Sequence, residues 1–481
     1  MKDKFGMIKK GVLLSYLEGI KDNVRGESYK NILKYFYPEY ISALVIYSAL
    51  HLLDARFISQ LKSTSIYATV GVTATLLHLV IKSAEGFSIG SVILGGQHNG
   101  AKNYQAVGRT LVDSFWISVI IGTLVSGFLY FNAYWIYYLY GVPAKMINIG
   151  VPFLRLRAIG VFLTFVYFAL ISFMRGIKDT RTPMNIFAMG AMIFIFFDYA
   201  LIFGKFGFPE LKLQGSALAT IIQYSSMLLM AFWYIFKDEK HKKYMINIFD
   251  PFKEFSTVKK LIMLSWPVVL DKATIASAYI WLGTMLAPMG KLALASFTVI
   301  KDIERIAFLP AIAFAQVITF LVSNDCGADN FDAIKTNIKK VMLLTAGFVS
   351  CCILTICLFP KFFIHFFDAK HAFTDFSAKV MPILSLLVFL DIFQLILSAA
   401  LRGTGDVRVV MWTRFFICFC CFFPISYFIS TLPMQDNLMK FILVYGTFYV
   451  SNAFATFVYV SRFRSDDWKA SVLRKFNDKN K

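Results

Sequence analysis

The sequence predicts an all-α polytopic membrane protein with twelve transmembrane helices arranged as two six-helix repeats. The composition, the spacing of apolar runs and a duplicated pair of motifs lead to this fold class. Of the 481 residues, 58% are hydrophobic and only 16% are charged, whereas a soluble domain usually has about 25% charged residues. The composition therefore excludes an ordinary soluble enzyme, a disordered chain and a coiled coil.

Twelve apolar runs are each long enough to cross the roughly 30 Å hydrocarbon core of a bilayer as a helix. Alternating apolar and polar strands of the kind found in membrane barrels are absent from the sequence. The runs lie near residues 33–58, 65–97, 108–131, 151–173, 184–203, 215–236, 261–286, 292–322, 339–360, 378–400, 409–430 and 438–461.

Lysine and arginine are distributed unevenly between the two sets of connecting segments. The set that includes both termini contains 31 of these residues, and the opposite set contains eight. The positive-inside rule therefore predicts a multi-pass protein of the cell (inner or plasma) membrane with both termini in the cytoplasm. The net charge of +20 is interpreted as a cytoplasmic anchor that contacts membrane lipids, and no nucleic-acid partner is expected.

Two motifs recur at a common offset of 227 residues. GAKNYQAVGRT begins at Gly100 and GADNFDAIKTN begins at Gly327, while Arg175 of MRGIKDTR matches Arg402 of LRGTGDVR. Duplicated halves are typical of secondary transporters, whose sites lie between the repeats near the middle of the membrane. Because each half contains an even number of spans, we expect a pseudo-two-fold axis along the membrane normal.

The predicted division of the chain follows from these runs and from the basic middle loop. We expect a cytoplasmic N-terminal segment, an N-terminal lobe, a cytoplasmic inter-lobe loop, a C-terminal lobe and a cytoplasmic tail. Their predicted ranges are 1–32, 33–236, 237–260, 261–461 and 462–481.

Ionisable side chains inside apolar spans are the candidates for function because they are costly in a bilayer. Tyr47, His51 and Asp54 have the spacing i, i+4, i+7 and form one polar stripe on the first span. Asp198 stands alone in the apolar segment IFIFFDYALIFG. The alternative for both aspartates is a place at a helix end near the membrane surface.

The second half has two further groups of polar residues. Asp391, Gln394 and Ser398 form a stripe at i, i+3, i+7 on the tenth span, which could instead hold helices together. On the eighth span, Asp302, Glu304 and Arg305 cluster beside Lys301, and their helical spacing also permits structural ion pairs.

The remaining intramembrane charges suggest structural roles. Lys82 and Glu85 have the i, i+3 spacing of an ion pair, and Asp271 follows Pro267 at the start of the second half. Arg155 and Arg157 enter the fourth span, where we expect their long side chains to extend to the membrane surface. The seven cysteines contain no CxxC pair, so a metal or disulfide site is not expected.

The order and spacing of these motifs resemble the multidrug and toxic compound extrusion (MATE) family over about residues 33–461. RGIKDTRTP, LRGTGD, the two GA-x-N loops, LLDARFISQ, DYALIFG, GSALAT and DIFQ carry the resemblance. It implies two six-helix lobes in a V-shaped fold and antiport of amphipathic or cationic organic compounds against H⁺ or Na⁺. No cofactor is implied, and we expect a monomer.

The resemblance also implies roles for single residues. Asp54 and Asp198 match the family's N-lobe carboxylates, which are tied to cation binding, and Thr220 matches a nearby hydroxyl ligand. Asp391 matches a C-lobe carboxylate of one branch, and Asp271 lies one turn before the position where that branch has a glutamate. Together with Tyr47 and His51, the N-lobe residues form the predicted coupling site, and the only metal considered is Na⁺ at Asp54 and Asp198.

One departure from the family pattern bears on the coupling ion. Phe194 occupies the position, four residues before Asp198, where the family often has asparagine. One oxygen ligand for Na⁺ is therefore missing, and H⁺ coupling is favoured over Na⁺ coupling.

Two other functions remain open from the sequence. A lipid-linked saccharide flippase of the same superfamily would use intramembrane cations such as Lys82, Lys272, Lys301 and Arg305. A membrane-embedded acyltransferase would use His51 and Asp54, although position 278, which matches His51 in the second half, is alanine. The sequence does not identify the substrate.

Overall fold

A computed structural model describes residues 26–45, 50–61, 63–365 and 373–469, without the side chains of His51, Leu52 and Thr64. Throughout these ranges the regular secondary structure is helical. The predicted all-α class is therefore confirmed.

The first half of the described chain contains eight α-helices, which are long because they run through uninterrupted apolar sequence. A 3₁₀-helix, Glu239–Tyr244, follows them. The eight helices are α1 (Tyr29–Leu44), α2 (Leu50–Ser59), α3 (Thr64–Gly100), α4 (Tyr104–Phe131), α5 (Ala133–Leu139), α6 (Ala144–Gly176), α7 (Arg181–Phe203) and α8 (Leu213–Lys237).

The second half begins with the inter-lobe loop and has the same succession of long helices. A π-helical segment, Ile417–Phe422, joins α14 to α15, and a short 3₁₀-helix, Ala287–Met289, follows α9. The helices are α9 (Phe255–Leu286), α10 (Lys291–Gly327), α11 (Phe331–Leu358), α12 (Pro360–His365), α13 (Thr374–Gly403), α14 (Val407–Phe416), α15 (Phe423–Thr431) and α16 (Asn437–Arg464).

Eleven stretches of the described chain are long and apolar enough to cross a membrane. They correspond to the second through the twelfth predicted span. The first predicted span, near 33–58, contains α1 and α2 together with residues 46–49, which lie outside the described residues. The number of helices is thus consistent with the predicted twelve spans, and the chain is a multi-pass membrane protein.

The duplicated motifs adopt the same local backbone geometry. Asn103 caps α4 by accepting a hydrogen bond from the backbone N–H of Ala106, and Asn330 caps α11 by accepting one from the N–H of Ala333, both over 3.2 Å. The residue before each cap has positive φ, 57° at Lys102 and 54° at Asp329. The repeat found in the sequence is therefore also a repeat of structure.

Tertiary contacts divide the chain into two compact units. Unit I comprises the described parts of Ile41–Ala273, and unit II comprises the described parts of Met1–Tyr40 and Thr274–Lys481. These units differ from the predicted lobes at two helices. The first part of α1 belongs to unit II, and the first part of α9 belongs to unit I. The predicted topological boundaries themselves stay a prediction.

The first part of α9 contacts α3 closely within unit I. A side chain at Gly90 would place its Cβ 2.2 Å from the Ser265 hydroxyl oxygen, and one at Gly86 would place it 3.0 Å from the Cα of Val269. Glycine is required for this approach of two helices. Ser265 in turn donates a hydrogen bond to the carbonyl of Phe87 over 3.2 Å.

The predicted inter-lobe loop packs onto α4 of unit I. The backbone N–H of Phe252 donates to Asp113 over 2.9 Å, and the indole N–H of Trp116 donates to the carbonyl of Ile248 over 2.7 Å. Tyr244 is also buried against this unit, and burial raises its pKa to about 12. The segment between the two halves is therefore an ordered part of unit I.

Candidate functional site

Four helices of unit I bring a polar cluster together inside otherwise apolar surroundings. Asp54 comes from α2, Asp198 from α7, and Ser216 and Thr220 from successive turns of α8. The Ser216 hydroxyl donates to Oδ1 of Asp54 over 2.8 Å, and the Thr220 hydroxyl donates to the carbonyl of Ser216 over 3.1 Å. Arg157 on α6 completes the group. The three sequence candidates Asp54, Asp198 and Thr220 thus lie in one cluster.

Asp198 is the more deeply buried of the two acids in this cluster, with no solvent-exposed surface. Neither of its carboxylate oxygens has a hydrogen-bond partner within the described part of the chain. The charged groups that act on it electrostatically are Asp54 and Arg157. An acidic side chain without a hydrogen bond costs several kcal/mol in an apolar interior, so its position indicates a role beyond packing.

Arg157 is a member of the cluster that sequence reasoning did not identify. Its guanidinium donates a hydrogen bond to the Thr220 hydroxyl over 2.6 Å, so it does not have the surface role expected of it. Arg155 is exposed and lies over the ring of Tyr130, 5.5 Å from its centroid. Residues two apart on a helix point in nearly opposite directions, and this spacing could have distinguished the two arginines.

Two predicted members of the first-span stripe cannot be located. Tyr47 lies outside the described residues, and the side chain of His51 is outside them as well. Their assignment to the coupling site remains a prediction.

Unit II contains a second buried acid, Glu304 on α10. Its Oε2 accepts hydrogen bonds from the phenol groups of Tyr445 and Tyr449 on α16, the latter over 2.7 Å. Its Oε1 is buried and has no hydrogen-bond partner among the described residues. Glu304 therefore faces α16.

Asp391 on α13 is hydrogen-bonded by a residue of α16 that lies one turn after Tyr449. The side-chain amide of Asn452 donates to Oδ1 of Asp391 over 2.7 Å. Gln394, one turn further along α13, is buried, and its amide nitrogen lacks a hydrogen-bond partner within the described ranges. Of the polar stripe predicted on the tenth span, Asp391 thus contacts a polar side chain of the twelfth.

Arg414 is the buried cation of this region, and it interacts electrostatically with Asp391. It lies two residues before the end of α14, close to the start of the π-helical segment. A cavity of about 20 Å³ is lined by Arg414, Cys418, Asn452 and Thr274, among others. A space of this size accommodates a single water molecule, and π-helical segments are often found at functional sites.

The charged cluster predicted on the eighth span separates into two environments. Arg305 forms an ion pair with Asp302 over 3.4 Å, as its helical spacing allows. Lys301 lies over the ring of Phe297, 5.5 Å from its centroid. Asp302 and Arg305 therefore form the expected structural pair, whereas Glu304 belongs to the tyrosine site.

The remaining candidates lie in unit I. Asp271 on α9 is buried and belongs to unit I, although the sequence interpretation assigned it to the second lobe. The ammonium of Lys82 contacts Glu85 over 2.7 Å, as predicted. Glu85 also contacts Lys272 of α9 over 3.4 Å, a partner that its spacing in the sequence could not indicate.

The partners of the second-half acids did carry a signal in the sequence. Tyr445, Tyr449 and Asn452 have the spacing i, i+4, i+7, which places all three on one face of a helix. The same spacing identifies the polar stripe of the first span.

The sequence profile of the MatE family matches residues 40–200 and 267–431. The chain belongs to the MatE family. The two matched segments begin 227 residues apart, at the offset of the duplicated motifs, so each half of this MatE protein carries one copy of the family unit. MatE proteins are transporters, and the chain is accordingly a transporter and not an enzyme.

Named relatives of this MatE protein extend over most of its length. A probable multidrug resistance protein NorM from Thermotoga maritima is 25% identical over 354 residues, which cover 74% of each chain. The probable multidrug resistance protein YoeA of Bacillus subtilis is 26% identical and covers 71% of this chain and 74% of its own. The multidrug resistance protein MdtK of Proteus mirabilis is 22% identical and covers 80% of this chain and 82% of its own.

Solved MATE structures have the same fold. An outward-facing multidrug resistance MATE family transporter of the MOP superfamily superposes with a TM-score of 0.83 at 18% identity, covering 95% of this chain and 99% of that one. A MATE structure in the straight conformation superposes with a TM-score of 0.83 at 19% identity, covering 94% and 98%. The fold of this MatE protein is therefore shared at low sequence identity.

Proposed function

We propose that the protein is a secondary active efflux transporter that exports amphipathic or cationic organic compounds in exchange for H⁺ or Na⁺ by alternating access. The observation that carries the proposal is the cluster of Asp54 and Asp198 in unit I, in which the deeper acid is fully buried and, among the described residues, has Asp54, Arg157 and Ser216 as its polar neighbours. The names of the relatives, which are multidrug resistance proteins, support the proposed class of substrate.

In the proposed mechanism, the coupling ion and the organic cation compete for the same carboxyl groups. A proton bound at Asp54 or Asp198 removes the negative charge that attracts a cationic compound, and loss of the proton restores it. Each ligand must bind the two conformations with different affinity, because only this difference can shift the equilibrium between them and so drive an exchange. Arg157 limits the negative charge of the site, so one bound cation is enough to neutralise it.

We favour H⁺ over Na⁺ as the coupling ion. Phe194 is buried on α7 one turn before Asp198, and it supplies no oxygen atom to a cation beside that carboxylate. Hard cations are bound by several oxygen ligands at once, whereas a proton requires a single carboxylate oxygen.

Glu304 and Asp391 are the second proposed ion-binding position. They lie within unit II on α10 and α13, and both are hydrogen-bonded by side chains of α16. If the coupling ion binds at Glu304 and Asp391, then Glu304→Gln and Asp391→Asn will uncouple transport from the ion gradient. Asp54→Asn will not uncouple it in that case. The two positions are thereby distinguishable in one set of variants.

The function is tested with purified protein in liposomes under separately imposed H⁺ and Na⁺ gradients. We expect a proton gradient to drive uptake of a fluorescent organic cation into inside-out vesicles, and Asp54→Asn to abolish that uptake. Asp375→Asn is the matched control, because Asp375 is largely exposed and pairs with Lys361 at the surface. Gradient-driven transport by Asp54→Asn at the wild-type rate would exclude the assignment of Asp54.

We propose a location in the cell membrane with both termini in the cytoplasm. The proposal rests on the unequal distribution of Lys and Arg described above. Reporter fusions at each terminus test it, because only cytoplasmic ends keep a cytoplasmic reporter active. We also propose a monomer interacting with membrane lipids, which light scattering of the detergent-solubilised protein would test.

The lipid-linked saccharide flippase receives less support. Of the four cations that could hold a pyrophosphate, Lys82 and Lys272 contact Glu85, and Arg305 contacts Asp302. Two of these cations lie in unit I and two in unit II. An acyltransferase is not proposed, since members of the MatE family are transporters.

A further inference from the structure

The segment that connects the two halves presents large apolar side chains at its surface. The exposed fractions are 70% for Met245, 88% for Phe249 and 77% for Phe255. Tyr244, which precedes them, is buried, and Ile246 packs against the hydrophobic core of unit I. Several large apolar groups exposed on one connecting segment indicate that it contacts an apolar phase or a partner. We call the three exposed residues the inter-lobe face.

The inter-lobe face lies beside α4, well inside the ends of that helix. The indole N–H of Trp116 donates to the carbonyl of Ile248. The backbone N–H of Phe252 donates to Asp113. With a rise of 1.5 Å per residue, Asp113 and Trp116 are about 14 Å and 18 Å from Tyr104, where α4 begins.

This position places the segment at membrane depth. The 28 residues of α4 span about 42 Å, which exceeds the roughly 30 Å hydrocarbon core of a bilayer by about 6 Å at each end. The hydrogen bonds to α4 lie further from the end of the helix than that excess. The connecting segment therefore contacts α4 within the membrane, not in the water beyond it, and lipid surrounds its exposed side.

Two lysine side chains border the inter-lobe face. The ammonium of Lys243 lies over the ring of Tyr104, 4.5 Å from its centroid, at the end of α4. Lys259 is exposed and follows Phe255 by four residues on α9, a spacing that places both on one side of the helix. Long lysine side chains can extend from apolar surroundings to the level of lipid phosphates.

Positive charge is in excess around the inter-lobe face. Residues 237–260 contain seven lysines and four acidic residues. The acid Asp238 accepts a hydrogen bond from the backbone N–H of Lys240, and the other three acids have cationic partners. Those ion pairs are Glu239 with Lys242, Asp250 with Lys253 and Glu254 with Arg109. The acids of the segment therefore do not balance its lysines, and an anionic surface is complementary to it.

We infer that the inter-lobe face, together with Lys243 and Lys259, binds acidic phospholipids. The aromatic rings occupy the boundary between headgroups and acyl chains, and the ammonium groups contact the anionic headgroups, as in interfacial amphipathic segments. A soluble protein partner fits less well, because the face lies at a depth that lipid fills. The inference is independent of the transported compound and of the coupling ion. It makes attachment of the connecting segment dependent on lipid charge.

Hydrogen exchange of the full-length protein in lipid nanodiscs tests the inference. One preparation contains phosphatidylcholine alone, and the other contains equal parts of phosphatidylcholine and the acidic phosphatidylglycerol. Mass spectrometry measures exchange of backbone amides in peptides that cover residues 245–255. We expect exchange to be about fivefold slower or more with phosphatidylglycerol, since one lysine near an anionic surface contributes a factor of about five. The difference should decrease at high salt.

Two variants separate the contributions of charge and apolar contact. Lys243→Gln combined with Lys259→Gln should remove most of the difference between the two lipid preparations. Phe249→Ser should speed exchange of the segment in both preparations, because the most exposed aromatic side chain of the face is lost. Unchanged exchange in the centre of α4 shows that each variant is folded.

Matched controls come from the opposite end of unit I. Lys145→Gln combined with Lys205→Gln removes two exposed lysines from loops predicted on the other side of the membrane. Phe131→Ser removes an aromatic side chain that is 78% exposed at the other end of α4. Both should behave as the wild type. An equal effect of a variant and its matched control would overturn the inference.

The wild type provides two further decisive results. Equal exchange of residues 245–255 in both lipid preparations would overturn the inference. Crosslinking with photoactivatable phosphatidylglycerol or phosphatidylcholine requires no variant. We expect adducts on peptides that contain Phe249 or Phe255 mainly from the acidic lipid, whereas equal labelling by both lipids would also overturn the inference.

Discussion

The guanidinium of Arg157 donates a hydrogen bond to the hydroxyl of Thr220 over 2.6 Å. The contact joins α6 to α8 and brings a cation to the site that contains Asp54 and Asp198. The two carboxyl groups therefore share their surroundings with one permanent positive charge. A site of this composition can bind one additional cation without a large excess of charge of either sign.

Replacing Arg157 should disturb coupling more than folding. We expect Arg157→Met to reduce proton-driven transport of an organic cation by about ten- to a hundredfold, the range for loss of a hydrogen bond to a charged group. The measurement is the initial rate of uptake into inside-out proteoliposomes. Arg155→Met is the matched control, since Arg155 is exposed on the same helix. Equal rates for the two variants would show that Arg157 has no special role.

The two tyrosines that bind Glu304 should contribute to stability. In the double variant Tyr445→Phe with Tyr449→Phe, both hydrogen bonds to the carboxylate are lost and the buried group is left unsatisfied. We expect a loss of about 1–3 kcal/mol in the free energy of unfolding, seen as a lower Tm in detergent. Tyr427→Phe removes an exposed phenol and should leave the Tm unchanged. A double variant as stable as this control would contradict the described geometry.

Replacing Gly108 by alanine should displace the inter-lobe loop from α4 of unit I. A Cβ at Gly108 would lie within 2.0 Å of the backbone carbonyl oxygen of Tyr244, so Gly108→Ala must displace that segment. We expect faster tryptic cleavage after Lys240, Lys242 and Lys243. Gly127→Ala, on the same helix with nothing within 4 Å of its added Cβ, is the control. Equal cleavage rates for the two variants would show that the contact is not maintained in solution.

Local features of the fold could be predicted because short motifs determine them. The capping residues Asn103 and Asn330 follow residues with positive φ in both halves, and the recurring spacing already indicated equal geometry. The sequence could not predict to which compact unit each part of α1 and α9 belongs. The apolar pattern of α9 indicates that a helix is buried, but not which neighbour buries it, so the place of Asp271 in unit I could not be predicted.

From the residues alone, only the acidic members of the candidate site were predictable, and Thr220 was predicted by the resemblance to the MATE family. An isolated acid such as Asp198 stands out in an apolar sequence because its burial is costly. Its neighbours do not stand out, because the distance from Arg157 to Thr220 depends on how α6 packs against α8. Likewise, Lys272 is 187 positions away from Glu85 in the sequence, and only the close contact of α3 with α9 brings them together.

The central claim is that a proton and an organic cation compete for Asp54 and Asp198. The most direct measurement is the release of protons when a cationic substrate binds to the purified protein in weakly buffered detergent solution. We expect the wild type to release protons on binding and Asp198→Asn to release fewer, with Asp375→Asn behaving as the wild type. The account would be contradicted if the wild type releases no protons. It would also be contradicted if Asp198→Asn and Asp54→Asn both release as many protons as the wild type.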